Sequence, residues 1–340
     1  MLRTTDYYSR PGKQEISPLK SLGQYISEKN KSEICVICGT GSSLRLIKDL
    51  DLSKVDTFML NGAIILPYEP PIPYDHLHGK WKWKPTCFLC IDKKIPEGYR
   101  CARSGEIFDY RADGTCPHCH RKNTCKCNYE FNYWQLAKAS GANIVLAPWI
   151  SIRENHVNLM RMDRCELPDT IGQNPWIPQY QGNLFNGSTV LMPSLHLAFL
   201  KKFKYIFLAG CDLSKRKLQG DEVERRFWYD EEFKAKFPWL ASAKIKTSRD
   251  MEKNNRPDDA DVLVKHFESY PDLKTGKFET QTIVMNEMYH SQIGAVTGAI
   301  RNIERFGIGV YKIGDKNSDL KGGALQIPVV DIEKFKQLIN

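Results

Sequence analysis

Two stretches of this 340-residue chain have residue types and spacings that could do chemistry. The first is Gly39-Thr40-Gly41-Ser42-Ser43, reached through the apolar run Ile34–Cys38 and followed by a helical pattern. Strand, glycine turn and helix start, in that order, build a phosphate cradle. Glycine lets the backbone close on a ligand, and the helix start offers free N–H groups and a positive dipole end. The plainer reading is a βα turn that only packs. The second stretch is a cysteine cluster: seven of the eleven cysteines fall between Cys87 and Cys127. Cys116-Pro-His-Cys119 is an intact Cys-x-x-Cys knuckle, and Cys101 opens an earlier one whose second position is Ser104. A further thiolate from Cys125 or Cys127 would close a tetrahedral zinc site of the ribbon type, with His118 and His120 as weaker substitutes. The ribbon's arginines and lysines suit contact with nucleic acid; a stabilising clip on a long loop is the duller alternative. Cys87 and Cys90 are also spaced Cys-x-x-Cys, but inside an apolar strand. There i and i+3 face opposite sides, which suits core packing.

The elements that would carry these residues alternate. Asp56–Asn61 and Thr86–Asp92 read as second and third strands, the latter apolar enough to be covered on both faces. A short helix around Leu19–Glu28 precedes them. After residue 130 come a helix over 131–140, a strand Asn143–Ala147 and a helix near 152–161. Gly187-Ser188 opens a helical stretch to about Lys202, in which Pro193 implies a later start or a kink. Tyr205–Asp212 is the next strand. Residues 213–260 are highly charged, with Lys244–Asp261 the best candidate for disorder. An amphipathic helix follows His290, with Ile293, Val296, Ile300 and Ile303 on one face; Gly307 stops it, and Ile308–Ile313 is expected as the last strand. This is the pattern of an α/β protein with a Rossmann-like, doubly wound, mostly parallel sheet. Residues 1–32 form an arm and helix, 33–92 and 131–340 the main domain, and 93–130 the ribbon insert. Gly39, Asn61, Asp92, Asp212 and Gly314 would gather at the carboxyl ends of the strands, where such sheets bind ligands.

Composition narrows the classes. At 41% apolar and 26% charged the chain is globular, and its net charge of +9 is mild support for a polyanionic substrate or partner. No apolar run is long enough to span a membrane, the N-terminus has no apolar signal region, and the cysteine number is odd. Reduced thiols and a cytoplasmic location are the expectation. Self-association is left open.

The ordered set Ile-Cys-Gly-Thr-Gly-Ser-Ser-Leu (37–44), Phe-Met-Leu-Asn-Gly (58–62), Cys-Ile-Asp (90–92), Asn-Gly-Ser (186–188), Ile-Phe-Leu-Ala-Gly-Cys-Asp-Leu (206–213) and Tyr-His-Ser (289–291) resembles the bacterial family 42 sialyltransferases. It also resembles the related nonulosonic acid transferases and hydroxymethylpterin pyrophosphokinases. The resemblance covers about two-thirds of the chain. It implies a glycosyltransferase using a nucleotide-activated sugar and an acceptor with a free hydroxyl. Gly39, Thr40, Gly41, Ser42, Asn61, Asp92, Gly187, Ser188 and Asp212 would then line the nucleotide site. The family turn usually reads Gly-Asn-Gly-Pro-Ser, so Thr40 and Ser42 alter the part facing the base. By the same resemblance His290 would be the general base, and Ser291 as N-cap would place it at the positive end of a helix, keeping the ring neutral. Tyr229, with Lys215, Arg216, Arg225 and Arg226, would stabilise the departing nucleoside phosphate. Two rival readings are a pyrophosphokinase using ATP and Mg²⁺, and a nucleic-acid-binding protein in which the ribbon acts alone.

Overall fold

Five apolar residues in a row need cover on both faces, and Ile34–Cys38 finds it in the middle of a sheet. The computed structural model describes residues 20–70, 79–91, 98–101, 107–109, 128–129, 133–147, 159–161, 184, 189–213, 216–217, 222–224, 231–236, 246–247, 263–268, 280–285, 287–315 and 325–340. Eight strands form the main sheet: β1 (Ile34–Cys38), β2 (Asp56–Leu60), β3 (Cys87–Cys90), β4 (Asn143–Leu146), β5 (Leu159–Arg161), β6 (Tyr205–Ala209), β7 (Gly309–Gly314) and β8 (Val329–Asp331). They lie in the order β5-β4-β3-β2-β1-β6-β7-β8, and every pair is parallel. The chain therefore winds outward from β1 in one direction, then crosses to its other side at β6 and winds outward again. Segments 33–92 and 131–340 contribute to this one sheet, a doubly wound α/β architecture of the Rossmann kind.

Helices cover both faces. On one, Val36, Cys38, Met59, Phe88 and Cys90 pack under the 3₁₀ turns Ser42–Ile47 and Asn61–Ile65, helix α2 (Tyr133–Ser140) and the C-terminal helix α5 (Ile332–Ile339). On the other, Cys35, Ile37, Phe58, Cys87 and Leu89 pack under α1 (Leu22–Ser27), α3 (Leu191–Leu200) and α4 (Glu287–Glu304). Cys87 and Cys90 thus point to opposite faces as core residues, and both are fully buried. All ten residues of α3 are buried, the polar Ser194 and His196 among them. Pro193 sits in its first turn, where the lost N–H has no intrahelical partner to lose; the helix starts late and is not kinked there. Helix α1 is opened by a capping box, Ser21 with Gln24. At the far end of α4, Gly307 has φ +78° and donates its N–H to Glu304 O (2.9 Å), a left-handed stop.

Four expectations are corrected. Residues 159–161 are not helix but β5, the edge strand beside β4; residues 151–158 lie outside the described residues. A three-residue strand is too short to show alternation, so its apolar residues read as helical spacing. Ile308–Ile313 is not the last strand, since β8 adds an edge beyond it and α5 closes the fold. Within Lys244–Asp261, Lys246–Thr247 is a strand pairing antiparallel with Glu222–Val223, and the rest lies outside the described residues. Finally, α4 begins at Glu287, so Ser291 is not its N-cap and His290 belongs to the first helical turn. In the insert, Gly98–Cys101 pairs antiparallel with both Ile107–Asp109 and Asn128–Tyr129. Among the described residues no helix is long and apolar enough to cross a membrane.

Candidate functional site

The winding direction reverses between β1 and β6, and the loops leaving their carboxyl ends lie at the switch point where sheets of this kind bind ligands. Those loops are Gly39–Ser43 and Gly210–Leu213, and they interlock. Gly39 N–H donates to Ala209 O (2.7 Å) and Gly41 N–H to Gly210 O (2.7 Å). Ser43 N–H donates to Asp212 Oδ2 (3.0 Å), the Ser43 hydroxyl donates to Asp212 Oδ1, and Gly210 N–H donates to Ser43 Oγ (3.0 Å). Asp212 therefore caps the 3₁₀ turn from 169 residues away. Gly41, the formal N-cap, has no side chain to do so.

The glycines matter here for a reason the sequence does not display. A Cβ on Gly39 would strike Gly210 O, and one on Gly41 would strike the Asp212 carboxylate. Gly210 itself has φ +65°. The close approach that glycine permits is first of all loop against loop. The N–H groups of Gly39, Gly41, Ser43 and Leu44 are bonded inside the protein. Thr40 is half-buried and Ser42 is 4% exposed, both on the same turn.

Charge is buried behind this interlock. Lys312, in β7, is 3% exposed and donates from Nζ to Leu325 O (2.7 Å). Burial lowers its ammonium to about 8, and the Asp212 carboxylate acts in the opposite sense. Asp212 is itself 6% and Ser43 2% exposed. Nearby thiols are pushed the other way: burial raises both Cys38 and Cys211, so neither is a thiolate nucleophile.

Asn61 ends β2 on the same rim. Cys38 is registered opposite Met59, so Asn61 lies beside the Gly39–Thr40 turn. Its φ is +52°, left-handed without being glycine, and its Oδ1 is buried with no hydrogen-bond partner among the described residues. Leu213, just after Asp212, is left-handed too, at φ +45°. Neither conformation terminates a helix. A strained backbone with an unmatched buried acceptor is costly unless something else uses it.

The remaining candidates divide. Helix α4 ends shortly before β7 begins, so its C-terminus lies at the amino edge of the sheet. Eighteen residues at about 1.5 Å each carry its first turn, with His290, roughly 27 Å back to the carboxyl side. Asp92, Gly187, Ser188, Tyr229, Lys215, Arg225, Arg226, Cys116, Cys119, Cys125 and Cys127 lie outside the described residues, and Arg216 and Cys101 are placed by backbone only. Among the described residues no group of three or more His, Cys, Asp or Glu is gathered as for a metal. Sequence reasoning passed over Lys312 and Leu213. Lys312 looked like an ordinary polar position in a strand, and Leu213 like a loop residue.

No protein-family model matches the chain, and no curated protein matches it. Among solved structures it is similar to the MAf glycosyltransferase from Magnetospirillum magneticum AMB-1, with 11% identity and a TM-score of 0.39 over 92% of this chain and 37% of that one. The chain thus spans well under half the length of that protein.

Proposed function

We propose that this protein is a glycosyltransferase that moves a sugar from a nucleoside-phosphate donor to an acceptor hydroxyl, with the nucleotide held at the β1/β6 switch point. The observation that carries the reading is Asn61: a left-handed residue on the ligand-binding rim whose buried Oδ1 has no hydrogen-bond partner among the described residues. An N–H or O–H of a nucleoside would satisfy that acceptor. The Ser42 amide and hydroxyl are the groups of the turn best placed for its phosphate, because the Ser43 amide is engaged by Asp212. The family resemblance supports the same assignment for Gly39, Thr40, Gly41, Ser42 and Asn61, with Asp92, Gly187 and Ser188 completing the site.

In this reading His290 removes the acceptor's proton as its oxygen attacks the anomeric carbon, and the donor's nucleoside phosphate departs with the bonding pair. Tyr229 would donate a hydrogen bond to that leaving group. The backbone of His290 lies in the first turn of α4, near the positive end of that helix. For the insert, the antiparallel pairing of Cys101 with Asn128 fits a ribbon held by Cys101, Cys116, Cys119 and either Cys125 or Cys127, with a structural zinc. Metal analysis of protein never exposed to added zinc would show about one equivalent per chain; an empty, stable protein removes the ribbon.

The deciding experiment is calorimetric titration with CMP, UMP, GMP and AMP, repeated on Asn61→Ala. One of the four should bind, and Asn61→Ala should weaken it about tenfold, the worth of one hydrogen bond to an otherwise orphaned buried group. Equal binding by the variant defeats the assignment. Turnover that requires ATP and Mg²⁺ would favour the pyrophosphokinase, and tight, salt-sensitive binding of DNA or RNA without any nucleotide binding would favour the ribbon acting alone.

A further inference from the structure

The 3₁₀ turn Ser42–Ile47 is fastened at its near end, where Ser43 meets Asp212. A 3₁₀ turn has poorly shaped hydrogen bonds of its own, so its far end needs a hold as well. That end is Lys48, about 12 Å from Ser42 at roughly 2 Å of rise per residue. Groups from outside the turn reach it there. The Lys48 carbonyl accepts from Lys82 Nζ (3.2 Å). The Lys48 ammonium donates to Glu232 Oε2 in an ion pair that spans 184 residues of chain. Phe233, the next residue along, is 4% exposed and belongs to the buried cluster that also holds Leu44 and Ile47 of the turn. Glu232 and Phe233 stand on the short helix Glu231–Lys236, where Lys236 Nζ also donates to Glu232 Oε1 (2.7 Å). The two lysines, Lys236 first, hold the Glu232 carboxyl down at about 2, so it is ionised at neutral pH. A helix of six residues does not sustain itself in water, so its place depends on contacts of this kind.

We propose that Glu232 and Phe233 are positioning residues: they brace the far end of the turn that begins at Ser42 and couple it to the segment before them. Phe233 supplies the hold and Glu232 the direction. A buried ring can slide over an apolar surface, whereas an ion pair fixes which residue of the turn the short helix sits against. The Lys48–Glu232 pair is open to solvent, so it is weak by itself and sensitive to salt, and most of the docking strength comes from the ring. In the chain, Tyr229 comes three residues before Glu232. The residue that the proposed reaction uses on its leaving group is therefore joined, through Glu232, to the turn that faces the donor's phosphate. Whatever orders the turn should order the short helix, and the reverse, because coupling between two sites is reciprocal. The coupling to a ligand rests on the nucleotide site proposed above; the brace itself does not.

The test is amide hydrogen exchange at positions 44 and 48, which donate to Gly41 O and Arg45 O, read against Val36 and Phe207 as reporters of global unfolding. Phe233→Ala should speed both turn amides at least tenfold beyond any change at the reporters. Lys48→Met and Glu232→Gln should each speed them about threefold, the range of an exposed ion pair. The Lys48→Met/Glu232→Gln protein should be no faster than either single variant, since a shared contact can be lost only once. Turn amides that keep pace with Val36 and Phe207 in Phe233→Ala overturn the brace, and so does a double variant whose effect is the product of the two singles. If Phe233→Ala does not fold, the Lys48 and Glu232 cycle decides. Added sodium chloride should speed the turn amides in the parent and not in Glu232→Gln, which packing alone would not produce; equal salt responses count against the pair. A second arm adds CMP, UMP, GMP and AMP. The one that binds should slow exchange of the Ala235 and Lys236 amides in the parent, and that protection should vanish in Lys48→Met. A nucleotide that binds without slowing them refutes the coupling. A parent that binds none of the four removes the nucleotide site, and the exchange cycle still decides the brace.

Discussion

The two rims of the sheet bury the same kinds of groups and use them differently. At the amino rim, Asp56 Oδ2 accepts from Lys31 N–H (2.7 Å), and Lys201 donates from Nζ to Tyr25 O (2.8 Å) and Glu28 O (3.2 Å). The Lys201 ammonium also lies 4.3 Å from the centre of the Tyr25 ring. These contacts clamp α1 and the end of α3 onto the strands. The left-handed residue at this rim, Lys202, has a local reason: it follows the last turn of α3, with Lys202 N–H on Phe199 O (2.9 Å) and Phe203 N–H on Ala198 O (3.4 Å). At the carboxyl rim Asp212 ties loop to loop through Ser43, and the left-handed Asn61 and Leu213 end no helix. Among the described residues, buried oxygens without a hydrogen-bond partner occur at both rims, Asn30 Oδ1 at one and Asn61 Oδ1 at the other. Buried polarity alone therefore does not mark the site. Polarity together with left-handed backbone that ends no helix is what sets the candidate site apart.

The comparison breaks most readily at Gly41. Gly41→Ala forces a methyl into the Asp212 carboxylate and should cost about 3 kcal/mol. The same change at Gly294 in α4, where an added Cβ meets nothing within 4 Å, should be neutral or stabilising by up to about 1 kcal/mol. Urea titrations of the two variants check the contrast. A mild Gly41→Ala would mean that the loops are not interlocked.

Next in size is the amino rim. Lys201→Met removes two hydrogen bonds, leaving Tyr25 O with only the Glu28 N–H, and should cost about 2 kcal/mol while nucleotide affinity stays at the parent value. Weakened nucleotide binding would erase the division of labour between the rims. The rims should also separate by pH. Burial lowers Lys312 to about 8 from 10.5, so between those values the unfolded chain holds the extra proton and stability should rise with pH. Burial raises Asp56 above its ordinary 3.8, so the native state there holds the extra proton and stability should fall as pH climbs through that acid window. Urea midpoints from pH 3 to 10.5 should show both limbs, with Lys312→Met shrinking the alkaline one and leaving the part that comes from Lys201, whose ammonium burial also lowers.

The smallest effect is the most discriminating. Asn61→Gly relieves a left-handed φ and should leave stability unchanged or raise it by up to about 1 kcal/mol, while nucleotide binding falls about tenfold. Stability and binding moving together would make Asn61 a structural residue like Lys202.

How far the sequence discloses these features depends on how far each reaches along the chain. Strands β1 to β4, β6 and β7 are legible because burial on both faces leaves nearly unbroken apolar runs such as Cys-Val-Ile-Cys and Ile-Phe-Leu-Ala. Strands β5 and β8 are not, having three residues each. Helix α5 does carry a readable signal, Asp331 as N-cap with Ile332, Phe335 and Ile339 on one face, which an expected last strand at Ile308–Ile313 passes over. The glycine turn is legible as a turn of this kind. Its partner is not, because Asp212 meets Ser43 only through tertiary structure. Lys312 is hidden for a related reason: nothing local distinguishes a lysine in a strand that faces water from one that is buried.

The strand order also has a consequence for how the chain is made. The half-sheet from β5 to β1 is complete when residue 161 has been synthesised, and its growing edge is then β1, five mostly apolar residues with unpaired N–H and C=O groups. The strand that covers this edge, β6, and the Asp212 that closes the turn arrive only later, since Ser43 waits 169 residues for its partner. At about 5–20 residues per second that is a delay of roughly 10–35 s from the synthesis of Ser43. Throughout it the edge of β1 and the turn after it wait without the strand that covers them. A variant that slows the docking of β6 would therefore lose soluble yield during synthesis before any loss showed in the purified protein's stability.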